Sequence, residues 1–222
     1  MSKPLFDAEA LIAMFEGASA KQGAQLRKAA SDATMAALQG RELTLKNMRG
    51  ALKAVAEAAS AGAAKNLGAG IDPEALLDQA VAGIDEAMLK AVEANRVALS
   101  TLVAQGADLR EKHLAKALAD LDRVEDTMYS AFKKASEGAA APVAAAWAGV
   151  LEKLQAGGTL SGAKAAGTAE QVAEQMQGAM RSTRAASMRA AQALAESYTA
   201  MVSGVLIGMA DALQAKAPAK KK

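Results

Sequence analysis

From Asp72 to Leu102 the chain returns a large residue to the same side every three or four positions: Leu77, Val81, Ile84, Met88, Val92, Asn95, Leu99 and Leu102. That spacing lines one face of an α-helix, whereas a strand would need alternation by two. The start is equally specific. Asp72 suits an N-cap, Pro73 falls where a missing N–H costs nothing, and Glu74 complements the helix dipole. Leu77 to Leu102 also resembles a coiled-coil seam, with Asn95 as the polar insertion that sets register. These eight residues are the predicted helix–helix packing set of this segment.

The rest of the chain agrees with a helical reading. Roughly a quarter of the 222 residues are alanine, the best helix former, against an average mix led by several residue types. Aromatics are only 3%, and β-branched residues, which favour strands, are scarce. Buried alanine removes little area from water, so close packing of long helices is expected rather than the dense core of an enzyme of this length. The expected fold is all-α: an elongated bundle of long amphipathic, partly coiled-coil-like helices.

Glycine and proline divide the chain. Residues 1–67 read as an N-terminal helical pair. The first helix runs from Asp7 to Gly40, weakened at Gly17 and Gly23, and the second carries Leu45, Met48, Leu52, Val55 and Ala59. Residues 72–137 read as a long central helix, bent or broken at Gly106, continuing through Leu114, Leu118, Leu121, Val124, Met128 and Phe132. Unbroken, it would extend about 100 Å at about 1.5 Å per residue. Residues 142–216 form a C-terminal helical region opening at Pro142, with a flexible Gly-rich connector over 156–167 and a capping box at Thr168 and Gln171. Residues 217–222 read as a disordered lysine tail.

Catalytic chemistry finds few footholds. Without cysteine there is no disulfide frame or thiolate metal site. His113 is the single histidine, set in the helical run "DLREKHLAK", so the usual zinc sites and paired Glu-x-x-His di-iron motifs are unavailable. "GGTLSGAKA" spaces Gly157 and Gly162 like a phosphate loop, but Ala163 stands where the lysine belongs. "LGAG" has Pro73 where a third glycine would fall. The acid pairs Asp120/Asp122 and Glu125/Asp126 lie among basic residues on a helix and read as solvated. No enzyme, cofactor or metal is expected.

One apolar stretch stands out, "SYTAMVSGVLIGMADAL", residues 197–213. Its unbroken uncharged run, residues 197–210, is 14 long and falls short of the roughly 20 a membrane span needs. On a helix, Tyr198, Met201, Val202, Val205, Leu206, Met209 and Leu213 share an arc of about 140°, the width of an apolar face. Gly204 and Gly208 run along one margin, where small residues admit a close neighbouring helix. The N-terminus has early acids at Asp7 and Glu9 and no signal-peptide pattern, so a cytoplasmic location is expected. Lys216, Lys220, Lys221 and Lys222 exceed the whole net charge of +2 and leave the remainder at −2. The tail therefore offers at most a weak nucleic-acid contact.

The segments "AEQVAEQMQGAMRSTRAASMRAAQALAESYTAM" and "AKAPAKKK" resemble phasins, bacterial proteins that coat polyhydroxyalkanoate storage granules. The resemblance spans about the last third of the chain and is one of composition and style. It implies oligomerising amphipathic helices, binding to a hydrophobic polymer or lipid surface, a place at the granule surface and no catalysis. Some phasins contact DNA through Ala-Lys-Pro tails. A structural or adaptor protein, acting by self-association or on a protein partner, is the other reading of the same faces.

Overall fold

The computed structural model describes residues 6–41, 43–67, 71–105 and 112–182, together with 198, 201, 202, 205 and 206. Helix α1 (Ala8–Glu16) starts where Asp7 accepts the Ala10 N–H at 2.9 Å. It stops at Gly17, far short of Gly40. Gly17 caps the helix with its N–H on the Ala13 carbonyl, and the Asn66 carboxamide reaches the carbonyl oxygens of Phe15 at 2.7 Å and Glu16 at 2.9 Å, satisfying the end of α1 from another helix. A 3-10 turn (Ala20–Gln22) then leads into α2 (Gly23–Leu38). Gly40, at φ +71°, closes α2 in the left-handed conformation that glycine adopts freely.

Helix α3 (Leu45–Asn66) begins at Thr44, and α4 (Pro73–Ala104) begins as the sequence predicts, with Asp72 accepting the Glu74 N–H at 3.0 Å. The single helix over 72–137 is not found. It is divided into α4, α5 (Lys112–Leu121) and α6 (Val124–Glu137). Gly106, where a bend was expected, lies outside the described residues. The turn at Asp122 and Arg123 contains neither glycine nor proline. There Asp120, nearly fully buried, accepts the Leu45 N–H at 3.3 Å and binds Lys116 at 2.7 Å. A bond to the first turn of α3 accompanies the redirection.

Helix α7 (Ala141–Gly157) opens at Pro142, as expected. The flexible connector over 156–167 is mostly helix instead. Gly158, at φ +66°, makes the turn, and α8 (Leu160–Ser182) follows at once. Its first turn is held by Thr159, whose hydroxyl accepts the Gly162 N–H at 2.9 Å. Asp85 of α4 accepts the N–H groups of Leu160 at 3.0 Å and Ser161 at 2.9 Å. Three orphan donors thus find partners, two on a remote carboxylate, and the helix forms despite its glycines. Thr168 lies buried within α8 and is not its cap.

Helices α7 and α8 follow α4 in the same chain direction. Lys153 meets Glu74 at 2.7 Å and Asp78 at 2.6 Å, Asp85 meets Leu160 and Ser161, and Glu93 meets Lys164 at 3.5 Å. Around α4 lie α2, α3, α7 and α8, while α3 also packs on α1 and α6. Sixteen of the 32 residues of α4 are buried, a wider face than the two-per-heptad seam of a coiled coil. All eight predicted packing residues, Leu77, Val81, Ile84, Met88, Val92, Asn95, Leu99 and Leu102, are in the core. One core cluster joins residues from every described α-helix, with Trp147, Phe132 and Phe15 as its largest side chains.

Candidate functional site

The apolar C-terminal face meets the bundle at α4. Tyr198, Met201, Val202, Val205 and Leu206 are helical, at the three- and four-residue spacing read from the sequence. Val202 and Leu206 are 1% and 3% exposed, within the core. Tyr198, Met201 and Val205 are half-buried and pack against it. Burial is deepest at the side of the predicted arc that includes Val202 and Leu206. Met201 and Val205, on the other side, keep part of their surface in solvent. Met209, Leu213, Gly204 and Gly208 lie outside the described residues.

The seat includes a polar contact. The Tyr198 hydroxyl donates to Oδ1 of Asn95, which is 0% exposed. The Asn95 amide nitrogen finds no acceptor among the described residues. Sequence reading placed Asn95 as a register residue between helices and Tyr198 on an apolar face. It did not pair them, because they stand 103 positions apart and nothing local links them.

An ion-pair cluster lies beside this seat. Arg96 grips Glu93 with Nε at 3.0 Å from both carboxylate oxygens, and Lys164 of α8 approaches at 3.5 Å. The hydrogen bond from Arg96 holds the Glu93 carboxyl below its ordinary value of 4.5, against the opposing effect of burial, with the charges of Arg96 and Lys164 adding to it. Because the folded-state value is depressed, its stabilisation is present above pH 4.5 and is lost as the pH falls through the folded value. Glu93→Gln should therefore remove a contribution under about 1 kcal/mol at neutral pH and flatten the acid limb of a urea-stability profile. An unchanged acid limb would show that Glu93 carries none of it.

Elsewhere, an open cavity of about 280 Å³ lies between α6 and the α7–α8 turn, lined by Glu125, Met128, Tyr129, Gln155 and Thr159 among others. Its polar groups serve the turn: Glu125 accepts the Thr159 N–H at 3.2 Å, and Gln155 donates to the Tyr129 hydroxyl at 2.6 Å. No nucleophile is paired with a base there. His113 falls in α5, its side chain outside the described part. Among the described residues, no three or more His, Cys, Asp or Glu gather as a metal site, and no helix is long and apolar enough to cross a membrane.

The fold and this seat define an all-α bundle that covers part of its own C-terminal apolar face. By sequence, the chain belongs to a family of unknown function (DUF6781), whose family model matches residues 1–215. No curated protein and no solved structure matches it.

Proposed function

We propose that the protein is a non-catalytic, self-associating surface coat that binds hydrophobic polymer granules in the phasin manner, at the granule surface in the cytoplasm. The observation that carries this reading is the row Tyr198, Met201, Val202, Val205 and Leu206, which is apolar apart from the tyrosine hydroxyl and only half-covered along one side. The exposed large apolar residues, Met14, Leu67, Val97 and Leu160, come from different parts of the described chain. An amphipathic helix with a broad apolar face can exchange protein contacts for an apolar surface, and methionine suits such adaptable contact.

Purified protein should co-sediment saturably with polyhydroxybutyrate particles. Met201→Glu with Val205→Glu should abolish the binding by at least about tenfold while leaving the far-ultraviolet spectrum unchanged, since both positions are half-buried and place charge on the exchangeable side. Absence of binding by the folded wild type would overturn the proposal. It would favour the structural or adaptor reading, which the nearly complete burial of Val202 and Leu206 in the bundle supports.

A further inference from the structure

We infer that the outer face of α3 is a docking strip for the phosphate backbone of double-stranded nucleic acid, made by Lys46, Arg49, Gly50 and Lys53 with Arg41 and Arg123 beside it. All six residues are exposed. At 100° per residue the four α3 positions share an arc of about 100° and span about 10 Å along the helix. Arg41 precedes the helix. The bond from the Leu45 N–H to Asp120 brings the α5–α6 turn, and with it Arg123, to the same end of α3. Residues 41–53 hold four cations and one acid, Glu42, whereas the chain outside the lysine tail sums to −2.

Two features of this face work against the stability of α3. Its first turn carries Lys46 and no acid, although the N-terminal dipole favours negative charge. Gly50 lies in the helix interior, where glycine costs up to about 1 kcal/mol against alanine, yet a Cβ there would meet nothing within 4 Å. Packing does not require that glycine; it leaves a low point between cations where another backbone can approach closely. Ion pairing also sets the strip apart. Arg27, Arg96, Lys116, Lys153 and Lys164 are each held by a carboxylate. Arg41, Lys46, Arg49 and Arg123 have no ion pair among the described residues, and Lys53 meets Glu57 only at 3.5 Å. Glu57 and the exposed Asp122 border the strip.

The chemistry selects the partner. The strip has no aromatic ring to stack an unpaired base, and the exposed large apolar residues Met14, Leu67, Val97 and Leu160 lie outside it. Neither a single strand nor a bilayer therefore finds an apolar hold there. Cations alone suffice to neutralise the backbone of a duplex, whatever its sequence. The strip is separate from the C-terminal apolar face, and this inference does not depend on the surface-coat reading.

Fluorescence anisotropy of a labelled DNA duplex of arbitrary sequence, titrated with the full-length protein at low salt, tests this. Binding should weaken as salt rises. Lys46→Glu with Arg49→Glu should lower affinity at least about tenfold and make the slope of log K against log salt shallower by about 2. Gly50→Gln should weaken binding about threefold while its urea midpoint holds or rises. Two controls, Lys133→Glu with Lys134→Glu on α6 and Lys220→Gln with Lys221→Gln and Lys222→Gln in the tail, should each cost less than about threefold. A wild type that does not bind the duplex overturns the proposal, as does a folded Lys46/Arg49 variant that binds normally, or a control that loses as much. Unchanged affinity in Gly50→Gln would overturn the close approach at that residue. Binding of phosphatidylglycerol vesicles through Lys46 and Arg49, with none of the duplex, would overturn the assignment in favour of a membrane surface.

Discussion

Trp147→Ala should be among the most damaging single substitutions in the bundle, lowering its stability by about 3–5 kcal/mol. Trp147 is 0% exposed and is the largest of the buried side chains. It stacks on Phe132 with ring centroids 5.6 Å apart at 20°, and its Nε1–H donates to Ser60 of α3 at 2.8 Å. Ser60 in turn donates to the Ala56 carbonyl at 2.7 Å, so a single side chain on α7 ties that helix to α3 and α6. In a chain this rich in alanine, few residues bury comparable area, and the cavity left behind could not be filled by its small neighbours. Because Trp147 is the only tryptophan, the variant would be followed by circular dichroism in urea rather than by fluorescence. A loss below about 1 kcal/mol would contradict its place at the centre of the core.

The second large effect is a reversal of sign between two glycines. In a helix interior, glycine to alanine ordinarily stabilises by up to about 1 kcal/mol. Gly50→Ala in α3 should do so, since a Cβ there meets nothing within 4 Å. Gly83→Ala in α4 should instead destabilise by about 1–3 kcal/mol. A Cβ at Gly83 would press on the backbone carbonyl of Arg27 and lie 3.0 Å from the Ala30 Cβ, so α2 would have to move away. Urea midpoints of the two variants, measured side by side, check the reversal. Stabilisation by both would show that α2 and α4 do not approach so closely.

Local signals were read correctly where they were self-sufficient. The Asp72-Pro73-Glu74 start, the glycine stop at Gly40 and the proline start at Pro142 each act through their own backbone, and all three mark element boundaries. The failures share a different cause. Residues 156–167 look flexible because glycine disfavours helix, yet Asp85, 75 positions away, satisfies the first N–H groups of α8. Asn66 meets the end of α1, and Asp120 meets the start of α3 where the central helix turns. None of these side chains is unusual in its own neighbourhood.

The candidate site divides in the same way. Periodicity identified the apolar arc from Tyr198 to Leu213, because the order of residues and a turn of 100° per residue suffice to group them. It could not say what the arc faces. Burial of Val202 and Leu206, and the pairing of Tyr198 with Asn95, arise when distant helices meet.

The amino-acid sequence by itself therefore determined that this protein is all-α, where several helices begin, and which residues share an apolar side. Those properties come from backbone preference and spacing, which act over a few residues. Only the tertiary structure decided where the long central helix breaks, that the glycine-rich segment folds, how closely α2 approaches α4, and what covers the C-terminal face. Each of those outcomes depends on a partner dozens of positions away, and such a partner acts only once packing has brought it within hydrogen-bond or van der Waals reach.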